Sequence, residues 1–406
     1  MEKNKTLLLF TGEFPYGKKG EPFLEDEILF LSKEFSNIYV FPRVKSEKIR
    51  PLPTNVQIVD VLVADSFKIL KQSVIAIIKS CFCIFFESLK TPKGFRYLVN
   101  FRHFLYIRME AEFLSRKLLN WSKVTNPGNS LAYFYWSDTS LLAYTLLKRT
   151  GYTNPMVCRA HGFDLYDNRN LGGLIPFRLT MYKTVDSVYC ISNHGKNYLL
   201  NILPKKLRLK IKLAYLGVRA PKQITAKNGE THSIIVSCAR MEGFKRISLI
   251  PEILRLIQTP IHWVHFGEGP EFERVKEQIK QLPPNVKVSL MGQLTNSEIH
   301  EFYASKSVRL FISLSLSEGL PVSMMEAISY GIPILSTSVN GTPEIVTPET
   351  GILISVNDPI ETIAKKIESA LMESQFDKER IKDFYFANFN ADNNYRKFAK
   401  ELAECI

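Results

Sequence analysis

The sequence predicts an α/β protein built of two doubly wound, Rossmann-like domains, and three observations predict it. Short apolar runs rich in β-branched residues alternate with longer amphipathic stretches from end to end, the rhythm of parallel strands joined by crossing helices. The 406 residues suit two or three domains at roughly 100 to 200 residues each. The stretch from Arg219 to Thr231 carries Pro and Gly without an apolar period, so it reads as a linker. The expected division is residues 1–218, a linker over 219–232, and a second domain over 233–384.

Taken in order, the strands expected in the first domain are Leu7–Phe10, Asn37–Phe41, Gln57–Val63, Leu131–Tyr135, Met156–Arg159 and Ser187–Ile191. In the second they are Ser233–Ser237, His262–Phe266, Lys287–Leu290, Arg309–Ile312, Ile332–Ser336 and Ile352–Ile354. Most are short, nearly continuous apolar runs, as strands covered by helices on both faces require. A composition of 45% hydrophobic and 23% charged residues excludes a disordered or collagen-like chain. The start, MEKNKTLLLFTGEFP, holds a four-residue apolar run from Leu7 to Phe10, against about 7 to 15 in a secretory signal. A cytoplasmic location is expected. The six cysteines lie mostly in apolar runs, and Cys81-x-Cys83 is one residue short of CxxC, so reduced, structural thiols are expected.

The net charge of +13 is uneven. Residues 1–220 hold 33 Lys and Arg against 17 Asp and Glu, a net of +16, and residues 221–406 hold 20 against 23, a net of −3. A basic half attracts polyanions: nucleic acid, an anionic membrane surface or a phosphate-bearing lipid. The aromatic residues form no recognisable single-strand stacking motif, and a nucleic-acid partner leaves the second domain unexplained, so nucleic acid is not expected. Phe67 to Phe86 is nearly continuous apolar sequence broken by Lys68, Lys71 and Lys79. These charges argue against a spanning helix. Followed by Lys90, Lys93, Arg96, Arg102 and Arg108, the segment is either a basic amphipathic element lying on a membrane or a buried helix with a solvated basic neighbour.

The most informative stretch is Arg309 to Ser338. A strand ends near Ser313, Glu318-Gly319 forms a turn, and Pro321 suits the first helical position. Gly331 is placed to close the helix in a left-handed cap, with Pro333 preventing its continuation. In such a strand–loop–helix unit the loop and the unpaired N–H groups of the helix start favour an anion, here near Gly319 and Leu320. Glu318 lies before that anion and Glu326 about one and a half turns into the helix. Carboxylates accept hydrogen bonds from vicinal hydroxyls, so a sugar on each side of a diphosphate fits. Upstream, Arg240 and Lys245 supply a fork and a point charge for a leaving diphosphate.

With Ser317-Glu318-Gly319-Leu320-Pro321, Met325-Glu326-Ala327 and the segment from Ser237 to Arg246, the chain resembles family-four retaining glycosyltransferases of the GT-B fold, of the capsular or exopolysaccharide group 1 type. The resemblance implies two Rossmann-like domains facing a cleft, the first on the acceptor side and the second binding the nucleotide sugar. It implies that part of 385–406 crosses back onto the first domain. It also implies Arg240 and Lys245 on the donor diphosphate, Glu318 on the donor sugar, Glu326, Gly319 and Leu320 around the donor, and Gly292 and Leu294 near the base. In the first domain, Arg159-Ala160-His161-Gly162-Phe163-Asp164 resembles a segment of polysaccharide-building members and implies His161 near the donor sugar. The opening loop either lets the backbone approach the donor phosphate or the acceptor at Gly17 or Gly20, as the resemblance implies, or is an ordinary mobile loop. Asp164 either orients His161 or caps a helix, and Ser192 either serves the acceptor or caps one.

The function so implied is transfer of a sugar from a nucleoside diphosphate, with retention and without a metal or other cofactor. The acceptor is a glycan or a polyprenyl-diphosphate-linked oligosaccharide of capsule or lipopolysaccharide assembly. The expected enzyme is cytoplasmic, peripheral on the inner membrane face. A sugar-nucleotide epimerase or a phosphorylase of the same architecture is the alternative.

Overall fold

The computed structural model describes residues 5–17, 20–63, 74–90, 93–125, 129–219, 221, 225, 231–372 and 376–406. Residues 67–73, with Lys68 and Lys71, and most of the expected linker lie outside the described residues. The chain divides into two compact units, Met1–Tyr215 with Asn394–Ile406, and Leu216–Asn393.

The first unit is built on a seven-stranded sheet of β1 (Thr6–Thr11), β2 (Asn37–Pro42), β3 (Val56–Ile58), β4 (Ser130–Phe134), β5 (Met156–Ala160), β6 (Ser187–Cys190) and β7 (Ile211–Leu213). The order is β3-β2-β1-β4-β5-β6-β7 and every pairing is parallel. β1 is buried along its whole length, and its alternation splits two cores. Leu8 and Phe10 join Phe134, Met156 and Cys158 in one cluster. Leu7 and Leu9 join Tyr133, Val157 and Tyr189 in the other. That is the consequence of a period of two in a sheet covered on both faces.

The second face is closed by the helices Leu24–Glu34 and Ala391–Ala403. Ala391 is anchored in the second unit, its N–H donating to Val218 O at 2.9 Å. From Asn394 onward the helix belongs to the first unit, with Phe398 and Leu402 buried in that cluster. Burying one such side chain contributes about 1.5–3 kcal/mol. Beneath it, the fully buried Arg159 pairs with Glu27, its guanidinium 4.1 Å from the Phe398 ring centre. Tyr133 Oη donates to the same carboxylate at 2.9 Å.

Two strands differ from expectation. Gln57–Val63 is not one strand: β3 stops at Ile58 and Asp60–Leu62 forms a 3-10 turn. The Asp60 carboxylate accepts from Tyr16 Oη at 2.8 Å and pairs with Lys45, which draws the chain out of the ladder. β7 lies outside the expected set, because its three residues sit within a basic stretch and only Ile211 is buried.

The second unit holds a six-stranded sheet of β8 (Ser233–Cys238), β9 (Ile261–Phe266), β10 (Val286–Leu290), β11 (Val308–Ser313), β12 (Ile334–Thr337) and β13 (Gly351–Ile354). Its order, β10-β9-β8-β11-β12-β13, runs outward in both directions from the β8–β11 pair. That reversal is the topological switch point, where the loops after the two strands part and leave a crevice. The helix Asn296–Ser305 starts on a capping box of Thr295 and Glu298, which satisfies two of its otherwise unpaired donors.

Candidate functional site

The loops after β8 and β11 flank the switch point. After β8, Met241 is fully buried and its N–H donates to Glu268 O at 3.0 Å, so the loop is anchored there while Arg240 beside it stays 70% exposed and pairs with Glu242 at 2.9 Å. Gly243–Lys245 closes a 3-10 turn, and Arg246 ends it in the left-handed region at φ 51°. The Arg246 side chain turns inward: Nε donates to Leu314 O at 2.6 Å and a terminal nitrogen to Val356 O at 3.0 Å. Burial lowers its pKa. Arg246 therefore braces the loops after β11 and β13.

The loop after β11 is held from outside its own sequence. Thr337 Oγ1 donates to Ser315 O at 2.5 Å, Leu316 N to Phe244 O at 2.7 Å, and Asn340 Nδ2 to Glu318 O at 2.8 Å. Asn340, itself at φ 45°, is a residue type that tolerates this region. None of these three holders carries a signal in the local sequence; only the three-dimensional approach of β12 and the β8 loop reveals them.

So positioned, Glu318 Oε1 accepts from Lys245 Nζ at 2.6 Å, with the two side chains 10% and 20% exposed. Gly319 and the buried Leu320 follow, and the helix Val322–Ser329 begins after Pro321. Pro321 stands one position earlier than expected, at the N-cap with ψ 110°. Glu326 is buried on that helix. Its carboxylate and Lys245 both act on the Cys238 thiol at the end of β8, which is pushed up to about 12, first by desolvation and then by Glu326, with Lys245 opposing. Lys245, Glu318 and Glu326 thus gather at the ends of β8 and β11. Gly331 adopts φ 71° and closes the helix as expected.

The strand ends beside this group are tied through glycines. Gly267 N donates to Gly292 O at 2.7 Å. Gly292 lies at φ 67°, and Leu294 is half-buried just before the capped helix. A Cβ on Gly267 would stand 2.1 Å from Ala239 O, so only glycine lets the β8 and β9 loops close on each other. Beneath them, His265 is fully buried; its Nδ1 lies 2.7 Å from Ser237 Oγ, which accepts from Trp263 Nε1 at 2.9 Å. Burial lowers the His265 pKa to about 4, so the imidazole is neutral at pH 7.

The residues singled out in the first unit occupy their own surroundings. His161 is 7% exposed and packs, tilted, against Tyr135 and Trp136, with ring centres 4.7 and 4.3 Å away. Neither of its ring nitrogens makes a hydrogen bond among the described residues. Asp164 lies 3.6 Å from its Nδ1 and accepts from the N–H groups of His161, Gly162 and Ser137 at 2.8, 3.1 and 3.0 Å. Asp164 thereby fixes the loop after β5 to the loop after β4. Ser192 caps the helix Asn193–Ile202 through Gly195 N at 3.0 Å. Gly17, at φ 66°, donates to Lys48 O at 2.9 Å, and its own carbonyl accepts from Arg50 Nε at 2.9 Å. Three further N–H donors of the opening loop are taken by Glu21, whose carboxylate accepts from Gly12, Glu13 and Phe14 at 2.6, 2.9 and 2.7 Å. Among the described residues no group of three or more His, Cys, Asp or Glu side chains is arranged to hold a metal ion.

Residues 221–384 match the family of glycosyl transferases group 1. That group 1 segment carries Arg240, Lys245, Gly292, Leu294, Glu318 and Glu326. The chain is 27% identical over 216 residues to a phosphatidylinositol N-acetylglucosaminyltransferase subunit of Arabidopsis thaliana, covering 52% of this chain and 46% of that protein. The chain thus spans less than half the length of that relative. It is 22% identical over 304 residues, 71% of this chain and 79% of the relative, to a Campylobacter jejuni transferase. That protein is the GalNAc-alpha-(1->4)-GalNAc-alpha-(1->3)-diNAcBac-PP-undecaprenol alpha-1,4-N-acetyl-D-galactosaminyltransferase. Among solved structures, the apo lipopolysaccharide outer core galactosyltransferase WaaB aligns over 98% of this chain and 99% of its own, with a TM-score of 0.66 at 15% identity. The fold is that of GT-B glycosyltransferase structures, an α/β chain with two parallel-sheet, Rossmann-like domains.

Proposed function

We propose that the chain is a retaining glycosyltransferase of family four, which moves a sugar from a nucleoside diphosphate onto a glycan or lipid-linked oligosaccharide in surface polysaccharide assembly. The observation that carries this reading is the Lys245–Glu318 pair at the switch point, with Glu326 on the helix that follows. Charge builds on the diphosphate as the glycosidic bond breaks, so cations fixed beforehand stabilise the transition state more than the ground state. Arg240, exposed and reorientable, grips two diphosphate oxygens; Lys245 leaves Glu318 for the third partner. Glu318, so released, accepts from donor-sugar hydroxyls, and Glu326 from the ribose. Gly292 and Leu294 border the base. His161 assists at the donor sugar. No step requires a metal, since two cations and the helix start supply the positive potential.

The acceptor class is supported by the names of two relatives, which carry phosphatidylinositol and PP-undecaprenol, and by the basic first half of the sequence. In this reading the enzyme works in the cytoplasm on the inner face of a membrane, as a capsule or lipopolysaccharide assembly enzyme would. The test is a thermal-shift screen of sugar nucleotides, repeated on Arg240→Ala and Glu326→Ala. Stabilisation by a donor that is lost in both variants, with nucleoside diphosphate released only when acceptor is present, supports the reading. Unchanged donor affinity in both variants overturns the site.

A further inference from the structure

The helix Val74–Ser88 is half in the protein and half out of it. Ser80, Ile84 and Glu87 are buried, and Ile84 belongs to a core cluster of the first unit. Along the other side, Ile78, Phe82, Phe85 and Phe86 are exposed, and Leu89 beyond the helix end continues the row at 68% exposure. Spacings of three and four residues put these side chains on one stripe. The short helix Phe95–Val99 packs beside it, turning Tyr97 inward and leaving Phe95, Leu98 and Val99 more than half exposed. Single exposed apolar residues are ordinary; seven on two adjacent helices, with Leu89 between them, are not.

The charges around this face have one sign outward. Residues 74–103 contain Lys79, Lys90, Lys93, Arg96 and Arg102 against one acid, Glu87. Glu87 is buried, where it accepts from Lys90 and Thr180. Lys93 pairs with Asp167 at 3.2 Å, and Arg96 donates to the neutral carbonyls of Gly172 and Gly173 at 2.9 and 2.7 Å. Lys79 and Arg102 are exposed and make no ion pair among the described residues. No helix among the described residues is long and apolar enough to cross a membrane.

We propose that this face docks on the surface of an anionic lipid bilayer, with Phe82, Phe85, Phe86 and Leu89 entering the headgroup boundary and Lys79, Arg96 and Arg102 meeting lipid phosphates. An apolar stripe rimmed by cations is the combination that interfacial helices use: apolar area supplies the affinity and cations select the anionic leaflet. A protein partner of the same shape would need neither the excess of cations nor the inward burial of the only acid. The proposal deepens the membrane location given above but does not depend on the donor chemistry.

The experiment is flotation of the full chain with vesicles of phosphatidylcholine alone or with added phosphatidylglycerol, in low and high salt. The unaltered chain is expected to float with the anionic vesicles only, and less in high salt. Phe82→Ser with Phe86→Ser is expected to lower partitioning more than tenfold. Lys79→Glu with Arg102→Glu, which touches no core residue, is expected to lower it by at least fivefold for each cation. Both variants should keep any sugar-nucleotide thermal shift of the unaltered chain, which separates failure of this proposal from failure of the donor site. Equal flotation with both vesicle types, or unchanged flotation of the charge-reversed variant, overturns it. So does conversion of a dimer to a monomer by the Phe variant without change in flotation, because a second copy would then cover the face.

Discussion

The first loops of the two sheets start from the same plan, a strand running into a turn and then a helix, and they use their donors in opposite ways. After β1, the N–H groups of Gly12, Glu13 and Phe14 close on the carboxylate of Glu21, and Trp136 Nε1 donates to it as well. After β8, the corresponding turn spends its backbone on holding Met241 and Lys245 in place and leaves Arg240 outside. The first loop gathers its backbone donors on one carboxylate; in the second the backbone ties the turn together and the charged side chains pair with each other, Arg240 with Glu242 and Lys245 with Glu318. Strand topology makes a crevice available, and side chains decide whether it is filled from within.

The largest effect that sharpens this contrast is on turnover. If the proposed transfer reaction holds, Arg240→Ala is expected to lower its turnover about 10²- to 10³-fold, the cost of removing one charge-stabilising donor, while leaving the unfolding midpoint unchanged because the side chain is exposed. A matching loss of stability would mean that Arg240 is structural. Glu21→Ala should do the reverse. It leaves three loop N–H groups without an acceptor and is expected to cost about 3 kcal/mol in denaturant unfolding. Added sulfate should restore part of that loss by entering the vacated nest; no destabilisation would break the comparison.

His265 provides a pH signature for the second unit. Its folded pKa, about 4, lies below the value near 6.5 of an unfolded His. The unfolded chain therefore binds more protons between these values, and stability falls as pH drops from about 6.5 to about 4. The loss should reach about 3 kcal/mol, and His265→Asn should flatten that part of the unfolding curve. A slope unchanged by the substitution would assign it to other groups. The smallest effect is Gly331→Ala, expected to cost about 1–2 kcal/mol because φ 71° suits glycine and a Cβ would stand 2.8 Å from Lys378 O.

How much of this was legible in the sequence depended on how far the deciding partner lay along the chain. β1, β8 and β11 are apolar runs whose burial is their own property, and the Gly331 cap is read from its neighbours. β7 escaped because an edge strand with one buried residue has too little apolar pattern. β3 ended early through Tyr16 and Lys45, which no local rule connects to Asp60. At the site, residue types announced Lys245, Glu318 and Glu326. The placing of Glu318 by Asn340 and Thr337, and the bracing by Arg246 of a carbonyl 110 residues away, became visible only when β11, β12 and β13 stood side by side. Arg159, within a segment read for chemistry, is instead a fully buried partner of Glu27; its role belongs to the packing of the C-terminal helix.

The most direct measurement is calorimetric affinity for a nucleoside diphosphate alone, compared among the unaltered chain, Lys245→Ala and Glu318→Gln. If Lys245 is a diphosphate cation held in readiness by Glu318, its removal should weaken binding at least tenfold, about 1.4 kcal/mol, while Glu318→Gln, which frees the ammonium, should leave affinity equal or tighter. Equal affinity in all three proteins, or weaker binding only in Glu318→Gln, would contradict the account.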